Sequence, residues 1–378
     1  MPRVVPRKDF TYTGQPIDDI PRDISHLRID PSVVEIPGSA FRGCKKLTEI
    51  DLSEGLERIA DQAFGGCTKL NRVKIPSTVI GLGEQAFSEC DELVHVEICD
   101  GLTHIGTKAF AMCRSLERVN IPSTVGKIEK EAFTKCEKLA HIELVSGLQE
   151  LGESSFSYCT SLRRIKIPTT VRIIGDSSFA NCMRLGGFEL TDGLEEIKSG
   201  AFRDCSMLQR INIPSTVKHI PDGAFSGCIT LVQIVLEEGL ELIGDNAFEY
   251  CISLQRIRIP SSVASVGSDA FLDCASLRAV VFCDVIEDFA SKDSVRSWWN
   301  RGVSELALKT YGYLVRYRIP ERLGTLRKGA RSMNIHAVLE RVPDIDSEWN
   351  SSIADYFLSI DSKLSEYETM QEVSSLTN

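Results

Sequence analysis

The chain has 378 residues, 43% of them hydrophobic and 25% charged, with a formal net charge of -10. This balance is ordinary for a soluble globular protein, and the acidic excess argues against general nucleic-acid binding. The opening MPRVVPRKDF has no apolar run of signal-peptide length, and no run of about 18 apolar residues occurs along the sequence. A protein without a membrane span is therefore expected, in the cytoplasm; the sequon at Asn350 matters only if that expectation fails.

Taken in chain order, residues 1–26 are off-period, with a turn signal at Thr13-Gly14 and prolines at Pro16 and Pro21. They are expected to form a cap, because a stack of coils needs its open end covered. Leu27 and Ile29 fall where a coil would place a strand, which makes a degenerate half-coil before Val33 and Ile36. From there one pattern governs the chain over residues 27–284. Phenylalanine recurs every 23 residues at Phe41, Phe64, Phe87, Phe110, Phe133, Phe156, Phe179, Phe202, Phe225, Phe248 and Phe271, with no insertion. Three residues after each comes a cysteine, from Cys44 to Cys274, and six after it a leucine, from Leu47 to Leu277.

Each coil is readable in physical terms. The apolar residues nine and eleven after the Phe, such as Val73/Ile75, alternate with polar ones, as in a half-buried strand. Stacked coils place these strands side by side in a parallel sheet, roughly 4.8 Å apart. A second apolar pair, such as Leu56/Ile59 or Val79/Leu82, turns the chain back. The small residue before each Phe leaves room for the ring in the core. A 46-residue period lies over the first, since coils ending their strand in Ile-Pro (Ile75, Ile121, Ile213) alternate with coils carrying Gly-Leu (Gly55, Gly101, Gly147, Gly193, Gly239). Proline lacks an N–H and belongs where the strand has ended.

Self-similarity at a period of 20–29 residues signals a leucine-rich-repeat solenoid. The residues Ala-Phe-x-x-Cys-x-x-Leu-x-x-Ile-x-Ile-Pro-x-x-Val-x-x-Ile-Gly resemble BspA-type leucine-rich repeats over residues 27–284. That resemblance implies a solenoid used as a binding scaffold. Some members of the family are surface proteins implicated in adhesion, so a cell-surface or extracellular recognition protein is the alternative reading.

Candidate chemistry falls largely to structure. The cysteine column reads as a buried ladder of small apolar groups: equivalent positions point their Cβ atoms in parallel, and no Cys-x-x-Cys pair occurs. Gly101, Gly106 and Thr107-Lys108 imitate a phosphate loop without its Gly-Lys-Ser/Thr. The histidines are scattered, so no metal, cofactor or catalytic residue is assigned. The outer face of the strands is the candidate protein-binding face. It carries Arg72, Lys74, Arg118, Asn120, Arg164, Lys166, Arg210, Asn212, Arg256 and Arg258 on Ile-Pro coils, and His95, Glu97, His141 and Glu143 between them. Opposite charges on neighbouring strands are expected to pair across it, and Gly186-Gly187 to leave a notch.

Residues 285–378 are expected to form a C-terminal α-helical capping segment. Trp298, Trp299, Leu306, Leu308, Tyr311 and Leu314 would pack on the last coil, and Trp349, Ile353, Phe357, Ile360 and Leu364 recur at helical spacing. A basic stretch from Arg316 to Arg331 pairs with later acids or meets an anionic partner. The reading that results is a non-enzymatic scaffold for a protein partner, with no nucleic acid expected.

Overall fold

A computed structural model describes residues 7–277 and 279–282. They form a succession of short strands that stack into two parallel sheets, one on each side of a shared apolar interior. The first sheet runs in continuous order through Asp9–Tyr12, His26–Ile29, Glu49–Asp51, Arg72–Ile75, His95–Ile98, Arg118–Asn120 and His141–Glu143. It continues in pairs: Arg164–Lys166 with Gly187–Glu189, Arg210–Ile213 with Gln233–Leu236, and Arg256–Ile259 with Ala279–Phe282. The segment read from sequence only as the returning limb also forms strands. Two-residue strands from Glu35–Ile36 to Glu196–Ile197 make an eight-stranded sheet, and three more run from His219–Ile220 to Ser265–Val266.

The interior repeats the sequence pattern. The rings from Phe41 to Phe271 stack in one column, with centroids 5.0–5.6 Å apart between successive coils. Fully burying each ring contributes roughly 1.5–3 kcal/mol. Each Phe N–H from Phe41 to Phe248 also donates to the carbonyl of the small residue before the next Phe, as in Phe41 to Ala63 at 2.8 Å. This third ladder ties coils together at the turn, where neither sheet reaches.

The cysteine column does more than fill space. Each thiol from Cys67 to Cys274 donates to the Phe carbonyl of the preceding coil, at 3.1–3.4 Å. That carbonyl already accepts the backbone N–H of its own coil's cysteine, as Phe41 does from Cys44 at 3.2 Å. A weak donor small enough to be fully buried meets both requirements, which is why an alanine would not serve as well. The described cysteines are all free thiols.

The 46-residue period has a contact behind it. Gly147 has φ 123°, and a Cβ there would sit 2.2 Å from the Ser123 carbonyl of the preceding coil. Its N–H donates to Thr170 Oγ1 of the following coil at 3.2 Å, and that hydroxyl donates in turn to the Leu148 carbonyl at 2.7 Å. Gly-Leu coils therefore sit against a backbone carbonyl of the coil before and a Ser or Thr hydroxyl of the coil after, as Gly239 does with Ser262 at 2.9 Å, and the two coil types alternate.

The N-terminal segment closes the stack with three devices. Asp9–Tyr12 adds a parallel strand in register with His26–Ile29. Tyr12 is buried and meets Phe41 edge-on, 5.4 Å between centroids, ending the aromatic column. Arg22 Nη1 donates to the Ala40 carbonyl at 2.9 Å, replacing the Phe N–H that an earlier coil would supply. The helical elements expected within 285–378 lie outside the described residues.

Candidate protein-interaction face

Alternation along each first-sheet strand turns the eighth and tenth residues after the Phe outward. All fourteen candidate residues lie on this one face; Arg256 is half-buried and the rest are exposed. Their pairing follows expectation in part: the register sets Arg72 opposite Glu49, Lys74 opposite Glu97 and Lys166 opposite Glu189. It departs from expectation at the remaining arginines. The register sets Arg118 opposite His95 and His141, Arg164 opposite Gly187, and Arg210 opposite Gln233. The acids Glu97 and Glu143 stand in the other row, opposite Asn120. On this outer face Lys74 meets Glu97 at 2.9 Å. Among the described residues, no carboxylate comes within ion-pair distance of Arg72, Arg118, Arg164 or Arg210. The eighth-position row thus starts with Glu49 opposite Arg72 and continues as arginines at alternate strands, with His95, His141 and Gly187 between Arg72 and Arg210, while the acids of those strands stand in the other row. The expected notch is also filled, since a Cβ on Gly187 would lie 2.7 Å from Arg164 Cγ. The arginine stem occupies the space that the glycine leaves.

Ion pairs between coils do occur, at the edge where the chain enters the first sheet. Arg114 lies 2.7 Å from Asp91 and 3.7 Å from Glu137, and Lys69 lies 3.8 Å from Glu92. These residues sit four or five positions after their Phe. In later coils the same positions turn apolar: Met183, Met207, Ile229 and Ile252. Val232 and Val235 continue the patch onto the strand's outer face. All six are between 37% and 50% exposed. Sequence reasoning missed them, although comparing the fourth residue after each Phe, coil by coil, reveals the change.

A second arrangement missed from the sequence lies at the cap. His26 is buried, with Nε2 2.9 Å from Asp51 Oδ2 and Nδ1 3.4 Å from Asp9 Oδ1. Glu49 also approaches, so His26, Glu49 and Asp51 could in principle share a cation. Arg7 pairs with Asp9 at 2.8 Å and Glu49 at 3.4 Å, and Arg28 approaches Asp51 at 3.8 Å. Cationic side chains therefore already serve these carboxylates, and the cluster clasps the cap strand to the next two strands. The cysteine column is no source of nucleophiles either, because burial raises thiol pKa values there, to about 12 for Cys182 and Cys274.

The BspA type leucine rich repeat region matches residues 22–140, 103–228 and 172–292. The chain belongs to this family. This BspA-type protein is also similar to solved structures of bacterial repeat proteins. A leucine-rich repeat protein from Bacteroides ovatus is 27% identical, with a TM-score of 0.59, over 68% of this chain and 73% of that one. A leucine rich cell surface protein from Faecalibacterium prausnitzii is 28% identical, with a TM-score of 0.45, over 75% and 82%. A leucine rich repeat protein from T. pallidum is 31% identical, with a TM-score of 0.41, over 62% and 86%. No curated protein matches. Among the described residues, no helix is long and apolar enough to cross a membrane.

Proposed function

We propose that this BspA-type solenoid is a non-enzymatic scaffold that binds a protein partner through the outer face and entry edge of its first sheet, in later coils above all. The carrying observation is the group of exposed apolar side chains Met183, Met207, Ile229, Val232, Val235 and Ile252 on four successive coils. Soluble proteins seldom expose side chains of this kind in a contiguous patch unless something covers them. The equivalent positions in earlier coils carry ion pairs, so the fold itself does not require apolar residues there. Arg210 at the margin of the patch supplies the polar rim common around such interfaces. The cysteine column acts as a set of S–H donors, which fits work in the reducing cytoplasm.

The test places a photo-crosslinking residue at Gln255, beside the patch, in the full chain expressed in its own cells. Parent protein is compared with the Ile229→Glu/Val232→Glu double variant. A discrete protein adduct that disappears in the double variant supports the reading. The same adduct formed equally by both removes the patch from any role in binding.

A further inference from the structure

The arginine row has a spacing that selects a particular kind of ligand. Arg72, Arg118, Arg164 and Arg210 occupy one row at every second strand, all exposed and without a carboxylate partner among the described residues. Parallel strands lie about 4.8 Å apart, so successive arginines of the row recur at roughly 9–10 Å. A polyproline II segment rises about 3.1 Å per residue with three residues per turn. Its every third side chain therefore points the same way and recurs at roughly 9.3 Å, matching the row.

The residues between the arginines sharpen this selection. His95, His141 and Gly187 alternate with them, and on those strands the other outer row carries Glu97, Glu143 and Glu189. A carboxylate at every third ligand position meets guanidinium, whereas one at an intermediate position meets His95, His141 or Gly187 in the row instead. Arginine's planar fork suits carboxylate recognition better than a lysine would. The row passes the apolar side chains at Arg210, which faces Gln233 on the next strand, so the same segment continues onto Val232 and Val235.

We propose that this row binds an extended, polyproline-like peptide segment of the partner with an acidic residue at every third position. The inference rests on the proposed protein-binding role and specifies its ligand. The probe is a fluorescein-labelled peptide of about 15 residues built from Glu-Pro-Pro repeats, which hold the polyproline II form. Its control has the same composition with the glutamates gathered at one end, and binding is read by fluorescence anisotropy on the full-length protein. The periodic peptide should bind at least about fivefold tighter than the block peptide, since only it meets several arginines at once. Arg118→Gln should weaken it by about two- to fivefold, the range for one exposed ion pair. Arg118→Gln/Arg164→Gln should compound that loss, while Lys45→Gln, outside the row, should leave binding unchanged.

Equal affinity for the two peptides, or indifference to the double arginine variant, reduces the row to diffuse attraction and overturns the proposal. So does tighter binding of a single-stranded RNA oligonucleotide, which would mark a general polyanion surface. Absence of binding to the periodic peptide overturns it too. If Ile229→Glu/Val232→Glu still abolishes the crosslinked adduct in that case, the scaffold reading stands and this ligand assignment alone falls.

Discussion

The coils of Phe41 to Phe133 and those of Phe179 to Phe248 have nearly the same interior and different edges. Inside, both halves stack phenylalanines, bury thiols against carbonyls and fully bury a leucine six residues after each ring. At the entry edge, the first half sets Lys69, Asp91, Arg114 and Glu137 among ion pairs, while the second exposes Met183, Met207, Ile229 and Ile252. The contrast shows where constraint acts. Interior positions answer to neighbours above and below that are themselves copies, so they repeat. Edge positions answer only to solvent or a partner, and their drift from charged to apolar is what the proposed binding role rests on.

The shared interior makes a prediction about alkaline pH that should spare neither half. Burial raises the thiol pKa at Cys67, Cys90 and Cys136 in the earlier coils, at Cys159 between the halves, and at Cys205, Cys228 and Cys251 in the later coils. An unfolded thiol ionises near about 8.5. Above that pH the unfolded chain has released protons that the native one still holds, so stability falls as pH rises, and is fully present below it. Each such thiol contributes a slope of about 1.4 kcal/mol per pH unit. With several acting together against a stability of order 5–15 kcal/mol, unfolding is expected between about pH 9 and 11. Circular dichroism against pH should show one cooperative loss. A chain whose native signal is unchanged at about pH 11 would contradict buried thiols as native-state groups.

Next in size is truncation of the ring column. Phe87→Ala and Phe225→Ala should each cost about 3–5 kcal/mol, through lost burial and the cavity left behind. Denaturant melts should give similar losses in the two halves, because each ring stacks between two others at 5.0–5.6 Å. A large loss in one half with less than about 1 kcal/mol in the other would mean that the interiors are not equivalent.

Legibility in the sequence divides along the same line. The Phe, Cys and Leu columns and the first sheet can be read because buried positions recur without exception. The second sheet cannot, since two-residue strands such as Arg58–Ile59 are too short to show alternation. The charge pairing is easily misread because the register joins Arg118 to His95 and His141. Glu97 and Glu143 sit two residues further along those same strands. The clasp of His26 between Asp9 and Asp51 is hidden because Asp9 lies in an off-period segment whose strand no repeat announces. The apolar edge is hidden for the opposite reason, since attention to a consensus averages away the positions where coils differ.

Where the second half begins the interior is less uniform, and a smaller effect is expected there. Ser155 and Ser178 take the position that alanine holds in other coils. Ser178 Oγ donates within reach of two carbonyls, Gly152 at 2.9 Å and Gly175 at 2.8 Å, whereas Ser155 Oγ is buried without a partner. Ser155→Ala should therefore raise stability by about 1 kcal/mol, removing an unsatisfied hydroxyl, and Ser178→Ala should lower it by about as much. Urea midpoints of the two variants that move in the same direction would show that the hydroxyls are equivalent after all.

The smallest effect on stability, and the sharpest on the comparison, belongs to the edge itself. Arg114→Ser removes the cation shared by two surface carboxylates, and Ile229→Ser removes an exposed apolar side chain. Exposed pairs are screened and lose entropy in holding their geometry, and an exposed isoleucine has little burial to lose. Both melts should stay within about 0.5 kcal/mol of the parent, the usual range for surface substitutions. The two should then separate in a second measurement, retention on a weakly hydrophobic matrix. Ile229→Ser should shorten it, because that side chain stands at the centre of the apolar patch, while Arg114→Ser should leave it nearly unchanged. A substantial loss of stability at Ile229 would mean that the patch is held against part of the chain's own fold. Its exposure would then no longer argue for a partner, and the difference between the halves would belong to folding instead of binding.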